Sequence, residues 1–230
     1  MRGQACVLYG AAEFSRDLDL AVLADPGNLD RLRGALAELE AEVVAVPPFR
    51  AEHLEEGMAV HFRCQHPEAR GLRIDVMTRM RGVEPFSRLW GRRTTFSFDD
   101  ETLEVLSLPD LVAAKKTQRD KDWPMLRRLV DANYLTHRDE PTPERVSFWL
   151  RELRSPELLV EAAERHPDAA AAERPHRSLL DLATREGQES RDLARALRAE
   201  EDFVRSEDEA YWKPLKQKLS RLRRERQRDE

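Results

Sequence analysis

Cysteine is almost absent from this chain. Cys6 and Cys64 are the only two among 230 residues. Two thiols cannot build a disulfide framework, so the sequence points to a reducing, cytoplasmic setting. Long apolar runs are missing too. A stretch such as LAVLA, 20–24, is far too short to span a bilayer, and no membrane role is expected. The first ten residues carry no signal-peptide pattern. An excess of positive charge is also lacking: 39 basic against 44 acidic residues give a net charge of -5, unlike a protein that coats nucleic acid. The six histidines, at 53, 61, 66, 137, 166 and 176, form no metal-ligand spacing, so no zinc site is expected. No internal repeat is evident.

What is present is enough for a packed core. Hydrophobic residues reach 40%, which argues against wholesale disorder, and the length fits one medium domain or one domain with a small extension. The charge is uneven. Residues 211–230 carry eight basic and three acidic side chains, a tail of +5 on a body of -10. Such a tail can contact RNA, fold back on the body or form a solvated helix face.

The first half alternates between strand and helix signals. A short helix is expected over 4–10, ending at Gly10, and DLDLAVL, 17–23, has the alternation of a strand. Residues 25–28 break it, with Asn28 the expected N-cap of a helix over 29–39. Further strands are expected at 42–46, 59–64, 71–78, 94–98 and 102–107. From Pro109 the pattern turns helical, with Pro124 suited to a first turn. Helices are expected at about 144–153, 156–166, 176–185, 188–210 and 214–228. The fold class is therefore α+β, with a mixed sheet and flanking helices followed by a helical C-terminal region. The segments read as a core over 1–107, packing helices over 108–135 and a charged helical extension over 136–230.

Three carboxylates stand out. Asp17 and Asp19 are two apart in a strand, so they leave the same face while Leu18, Leu20 and Val22 leave the other. Asp75, between Ile74 and Val76, is a lone charge in a second apolar strand. Burying a carboxylate without a partner is costly, so acids inside such strands are more informative than acids in loops. If the two strands are neighbours, three carboxylates converge, a ligand set suited to Mg²⁺ and phosphoryl chemistry. The plain alternative is chance, because acidic residues number 44. Cys6, in an apolar run, and the four tryptophans read as packing residues.

The stretch GQACVLYGAAEFSRDLDLAV, 3–22, resembles the signature of the nucleotidyltransferase superfamily, the DNA polymerase beta-like fold. Gly3 matches the second glycine of the family's pair, Asp17 and Asp19 its Asp-x-Asp, and Asp75 its third carboxylate. The local form is most similar to the AbiEii-type abortive-infection branch, which includes toxins of bacterial toxin–antitoxin pairs. LSLPDLVAAKKTQRDKDW, 106–123, is similar to the helix that follows the sheet in that family, with Lys115 or Lys116 as its lysine and Arg119 and Asp122 as its R-x-x-D. The resemblance covers roughly 3–130. Arg2 stands where the family has the first glycine, and the family's opening strand is expected to be missing.

The resemblance implies a nucleotidyltransferase that moves an NMP from an NTP onto a hydroxyl of a tRNA 3′ end, a protein or a small molecule. Asp17 and Asp19 would bind Mg²⁺ (or Mn²⁺). Asp75 would bind a second metal and draw the acceptor's proton. Gly3 and Gln4 would lie along the phosphates, and Lys115 or Lys116 would face the triphosphate. Arg16 could touch phosphate or neutralise Asp17. Arg119 and Asp122 could simply pair at i, i+3. An antitoxin protein is a possible partner. The rival expectation is a non-catalytic module that keeps the fold and holds RNA or a partner through its basic tail. A helical toxin-neutralising or structural protein would fit only the last 90 residues and leaves the strand carboxylates unexplained.

Overall fold

The computed structural model describes residues 2–15, 17–184 and 190–229. The chain forms two compact units, Met1–Ala114 together with Glu209–Glu230, and Lys115–Asp208. It is an α+β protein with a mixed four-stranded sheet, a separate hairpin and a long helical C-terminal region.

In the first unit, helix α1 (Arg2–Leu8) precedes strand β1 (Asp17–Ala21) and helix α2 (Pro26–Glu38). The N-cap of α2 is Asp25, not the expected Asn28: its Oδ1 accepts the Asn28 N–H at 3.2 Å, and Pro26 has the fixed φ that suits a first turn. Strand β2 (Ala41–Val43), helix α3 (Ala51–Glu55), and strands β3 (Val60–Cys64) and β4 (Arg73–Met77) follow. The sheet order is β1-β4-β3-β2; β1 and β4 are parallel, the other pairs antiparallel.

Alternation divides this sheet into two faces. One carries Ile74, Val76, Val60, Phe62 and Cys64, buried with Leu29 and Leu36 of α2 and Leu54 of α3. Leu18, Leu20 and Val22 pack against that cluster, as their spacing predicts. Fully burying a side chain of this size contributes roughly 1.5–3 kcal/mol, so this layer fixes the register of the sheet. The other face carries the charges.

Helix α4 (Phe86–Gly91) leads into strands β5 (Thr94–Phe98) and β6 (Glu101–Val105), an antiparallel hairpin outside the main sheet. Its turn places Asp99 at φ +48°, a left-handed conformation that Asp tolerates better than most side chains. The Tyr9 hydroxyl donates to the Leu106 carbonyl at 2.9 Å and accepts from the Thr94 hydroxyl at 2.7 Å, which ties the chain after α1 to the first strand residue of the hairpin and to the residue after its last.

Helix α5 (Leu108–Lys115) precedes the helices of the second unit: α6 (Asp122–His137), α7 (Pro143–Glu152), α8 (Pro156–Arg165), α9 (Pro167–Glu173) and α10 (Leu180–Ala183). Pro124 falls in the first turn of α6, where its missing N–H costs nothing. Trp149 and Tyr134 meet edge to face at 5.1 Å in the centre of this unit. The helix expected over 176–185 is shorter. Pro175 cannot continue α9, the chain turns, and helix resumes only at Leu180. The two helices expected at 188–210 and 214–228 are one: α11 runs Ser190–Asp229 through Pro214. A proline inside a helix loses one backbone bond, and here the strong helix formers on both sides outweigh that loss. Among the described residues no helix is long and apolar enough to cross a membrane.

Candidate functional site

The parallel pairing of β1 with β4 brings the three strand carboxylates onto neighbouring strands. Asp19 lies opposite Asp75, and Asp17 lies opposite Arg73. His61 of β3 lies opposite Asp75 on its other side. All five share the sheet face turned away from the apolar layer. Asp17 is exposed, Asp19 is half-buried, and the Asp75 side chain is only 13% exposed.

Asp75 is held from two directions. Arg73 Nε donates to Oδ1 at 2.8 Å and Nη2 to Oδ2 at 3.1 Å, a two-point grip from the same strand. His61 Nδ1 is 2.7 Å from Oδ1. Donation from Nδ1–H to the carboxylate leaves Nδ1 no lone pair, so its 3.2 Å approach to Arg73 Nη2 is proximity and not a second bond. Burial pushes the Asp75 carboxyl up, but His61 and Arg73 outweigh it and hold it below the ordinary carboxylate value. Arg73 is pushed up in turn, by its bond to Asp75 and by the fields of Asp75, Asp17 and Asp19. It is thus the countercharge of the whole face.

Asp19 is approached by α1. The Gly3 N–H donates to Asp19 Oδ2 at 3.2 Å. A Cβ on residue 3 would stand 2.0 Å from Ser15 Oγ and 2.9 Å from Ser15 Cβ, so a larger residue there requires Ser15 or α1 to shift. Gln4 Nε2 donates to the Ser15 carbonyl at 3.2 Å, and Ser15 Oγ donates to the Asp17 carbonyl at 3.0 Å. Gly3 and Gln4 therefore fasten α1 to the start of β1. Arg16 lies outside the described residues.

Two residues beyond Asp19 and Asp75, where β1 and β4 end, a cleft of about 1030 Å³ opens. Leu23, Asp25, Thr78, Arg79, Arg81 and Tyr211 are among its lining. The carboxyl ends of parallel strands are where open α/β sheets receive ligands. Thr78 Oγ1 is buried there without a hydrogen-bond partner.

Lys115, Lys116, Arg119 and Asp122 belong to the second unit, and each is engaged inside it. Lys115 is 5% exposed, with its Nζ 3.4 Å from Asp122 Oδ1. Thr117 Oγ1 and Arg119 Nε donate to Asp122 Oδ2 at 2.6 and 2.8 Å. Burial raises the Asp122 carboxyl, and Thr117, Lys115 and Arg119 together bring it below the ordinary value. Lys116 bonds Glu152 at 2.7 Å. Arg119 and Asp122 do pair at i, i+3.

The residues that sequence reasoning missed are Arg73, His61 and Ser15. Arg73 had a signal: it is two positions before Asp75 in the same alternating strand, so it had to share its face. His61 had none, because its place depends on the β3–β4 register. Among the described residues, no group of three or more His, Cys, Asp or Glu is gathered closely enough to hold a metal ion. Comparison with protein-family models, curated proteins and solved structures finds no match to this chain.

Proposed function

We propose that the chain is a nucleotidyltransferase of the DNA polymerase beta-like type, transferring an NMP from an NTP to a hydroxyl acceptor. The observation that carries this reading is the register of Asp19 with Asp75, with Asp17 on the same polar sheet face. The cleft beyond the ends of β1 and β4 has room for a nucleotide, although none of the three carboxylates lines it. A toxin of a toxin–antitoxin pair, acting on tRNA or another acceptor, is the narrower form of the proposal.

Mg²⁺ or Mn²⁺ would be the cofactor of such a reaction, and carboxylate oxygens are the right donors for it. The arrangement does not fit a metal as it stands. Three of the four lone-pair positions of the Asp75 carboxylate are used by Arg73 and His61, Asp19 already accepts from Gly3, and among the described residues the carboxylates are not gathered closely enough for a metal. The same contacts make Asp75 a weak base, because its carboxyl is held low and proton acceptance opposes Arg73. Gly3 and Gln4 serve here by docking α1 on β1.

A second reading has its own observation. The eight basic side chains of 211–230 stand exposed on the last turns of α11. That favours a non-catalytic module binding RNA through the tail. Such binding would weaken steeply with salt and disappear on removal of 211–230.

Incubation with labelled NTPs and total tRNA or lysate separates the two. Label transfer that is lost in Asp19→Ala supports the enzyme. No transfer, or transfer unchanged in Asp19→Ala, sinks it.

A further inference from the structure

The densest charge of the first unit is not on the carboxylate face but at the end of α11. Between Lys213 and Arg228 this helix carries two stripes. Leu215, Leu219 and Leu222 are half-buried at spacings of four and three, and Leu215 lies beside Gly57. At 3.6 residues per turn, Lys213, Gln217, Arg221, Arg224 and Arg228 fall on the opposite side, at spacings of four, four, three and four, and all five are exposed. Lys218 stands off this stripe and bonds Glu56. The helix dipole favours cations in the last turn, which accounts for Arg226 and Arg228 and not for the others. Arg221 and Arg224, and Arg224 and Arg228, are like-charge neighbours at i, i+3 and i, i+4, which costs the helix stability. Glu225 is the only acidic residue between Lys213 and Arg228 in the sequence. Cations that repel one another along a helix gain most from a row of anions outside it.

We propose that this stripe is a docking face for the sugar–phosphate backbone of a double-stranded nucleic acid. The proposal rests on the tail-binding reading above and names its ligand. The stripe spans about 22 Å, and a duplex presents one phosphate charge for about every 1.7 Å of its axis, so each cation can meet a phosphate. A duplex holds its phosphates as rigidly as the helix holds its cations, so neither backbone must be ordered on binding. Residues 213–228 contain no aromatic side chain, so the stripe has no platform on which single-stranded bases could stack. Its contacts are to phosphate, and such contacts position a protein without reading sequence. RNA and DNA duplexes share this chemistry. The net charge of -10 on residues 1–210 disfavours nucleic acid elsewhere on the chain and confines it to this end.

The test is fluorescence anisotropy of the full chain with a labelled RNA duplex of about 20 base pairs, the DNA duplex of the same sequence and one strand alone, over a range of salt. Two triple variants each remove three charges: R221Q/R224Q/R228Q from the stripe, and K216Q/K218Q/R223Q from the other sides of the helix. The first should weaken duplex binding at least about tenfold at physiological salt and reduce the log–log salt slope by about three, whereas the second should weaken binding less than about threefold. Arg224→Gln alone should reduce the slope by about one, and it serves if circular dichroism shows that a triple variant loses helix. The two duplexes should bind within about tenfold of each other, because both present the same phosphates. Equal losses in the two triple variants overturn the stripe and leave the tail reading standing. A DNA duplex that does not bind overturns the backbone assignment, and tighter binding of the single strand overturns the choice of a duplex. Failure to bind any of the three removes the tail reading together with the stripe. These outcomes are independent of NMP transfer.

Discussion

Two aspartates in this chain sit in similar company and serve different ends. Asp122, in the helical unit, and Asp75, on the sheet, each accept from an arginine and from a second side chain. Asp122 is 4% exposed and faces Lys115 at 6%, so one countercharge is out of water with it, while its arginine, Arg119, is 49% exposed. Asp75 is 13% exposed, but its arginine is 42% exposed and two more carboxylates stand beside it. The first cluster has a buried ion pair at its centre and a second, exposed arginine at its edge. The second leaves its only guanidinium open to water. A sequence motif of charged residues does not distinguish them; the additional buried countercharge, Lys115, does.

The comparison breaks most sharply in stability. Asp122→Ala leaves Lys115 buried without its carboxylate, and loss of one partner of a buried pair costs about 3–5 kcal/mol. Asp75→Ala should cost only about 1–2 kcal/mol, because Arg73 can turn to water and because Asp17 and Asp19 lose a like charge. Urea unfolding of the two variants measures the difference. Equal losses would mean that the sheet cluster is as closed as the helical one.

Gly3 tests whether α1 is part of the carboxylate face. Gly3→Ala puts a methyl 2.0 Å from Ser15 Oγ, so Ser15 or α1 must shift, which strains the bond from the residue 3 N–H to Asp19. Overpacking of this kind costs about 1–3 kcal/mol. Replacing Ser15 by Gly in the same chain should recover part of it, since both atoms that the methyl meets first belong to Ser15. A shift of the melting midpoint in G3A that S15G does not reduce would place the strain elsewhere.

Acid sharpens the comparison further. The Asp122 carboxyl is lowered in the folded chain relative to the ordinary 3.8. The unfolded chain therefore binds its proton first. The stabilisation is present above that ordinary value and is lost as pH falls through the folded one. Asp131 works the other way, because burial raises its carboxyl, ahead of the lowering contact with Ser155. Unfolding free energy measured from neutral pH to below 3.8 should fall with acid, and Asp122→Asn should flatten that fall. An unchanged slope in D122N would show that other carboxylates govern the acid limb.

How much of this could be read from residues alone follows the same division. The alternation in DLDLAVL and GLRIDVMT separated the core face from the charged face, because period two is local and needs no partner. Once Asp75 was placed on a face, Arg73 was fixed with it. His61 and the Gly3–Asp19 bond were not legible, since both depend on contacts between segments far apart in sequence. The short helices α3 and α4 were missed because five or six residues are too few to show a helical period. Lys115 matched a motif by type and spacing, yet spacing carries no burial, and its burial against Asp122 decides what it does.

The smallest effect is expected where the charge is densest in sequence. Lys218 bonds Glu56 at the surface, and both side chains are at least 40% exposed. The Glu56 carboxyl is held below its ordinary value by that contact, but water and salt screen the pair. Lys218→Ala should therefore leave the melting midpoint unchanged at physiological salt, and lower it only slightly when salt is removed. Leu215 and Tyr211, about one and two turns earlier on α11, already lie beside Gly57, so packing as well as this ion pair holds the helix end in place. A large loss in K218A at physiological salt would show instead that the basic end of α11 is fastened by charge, and would leave that charge less available to any RNA.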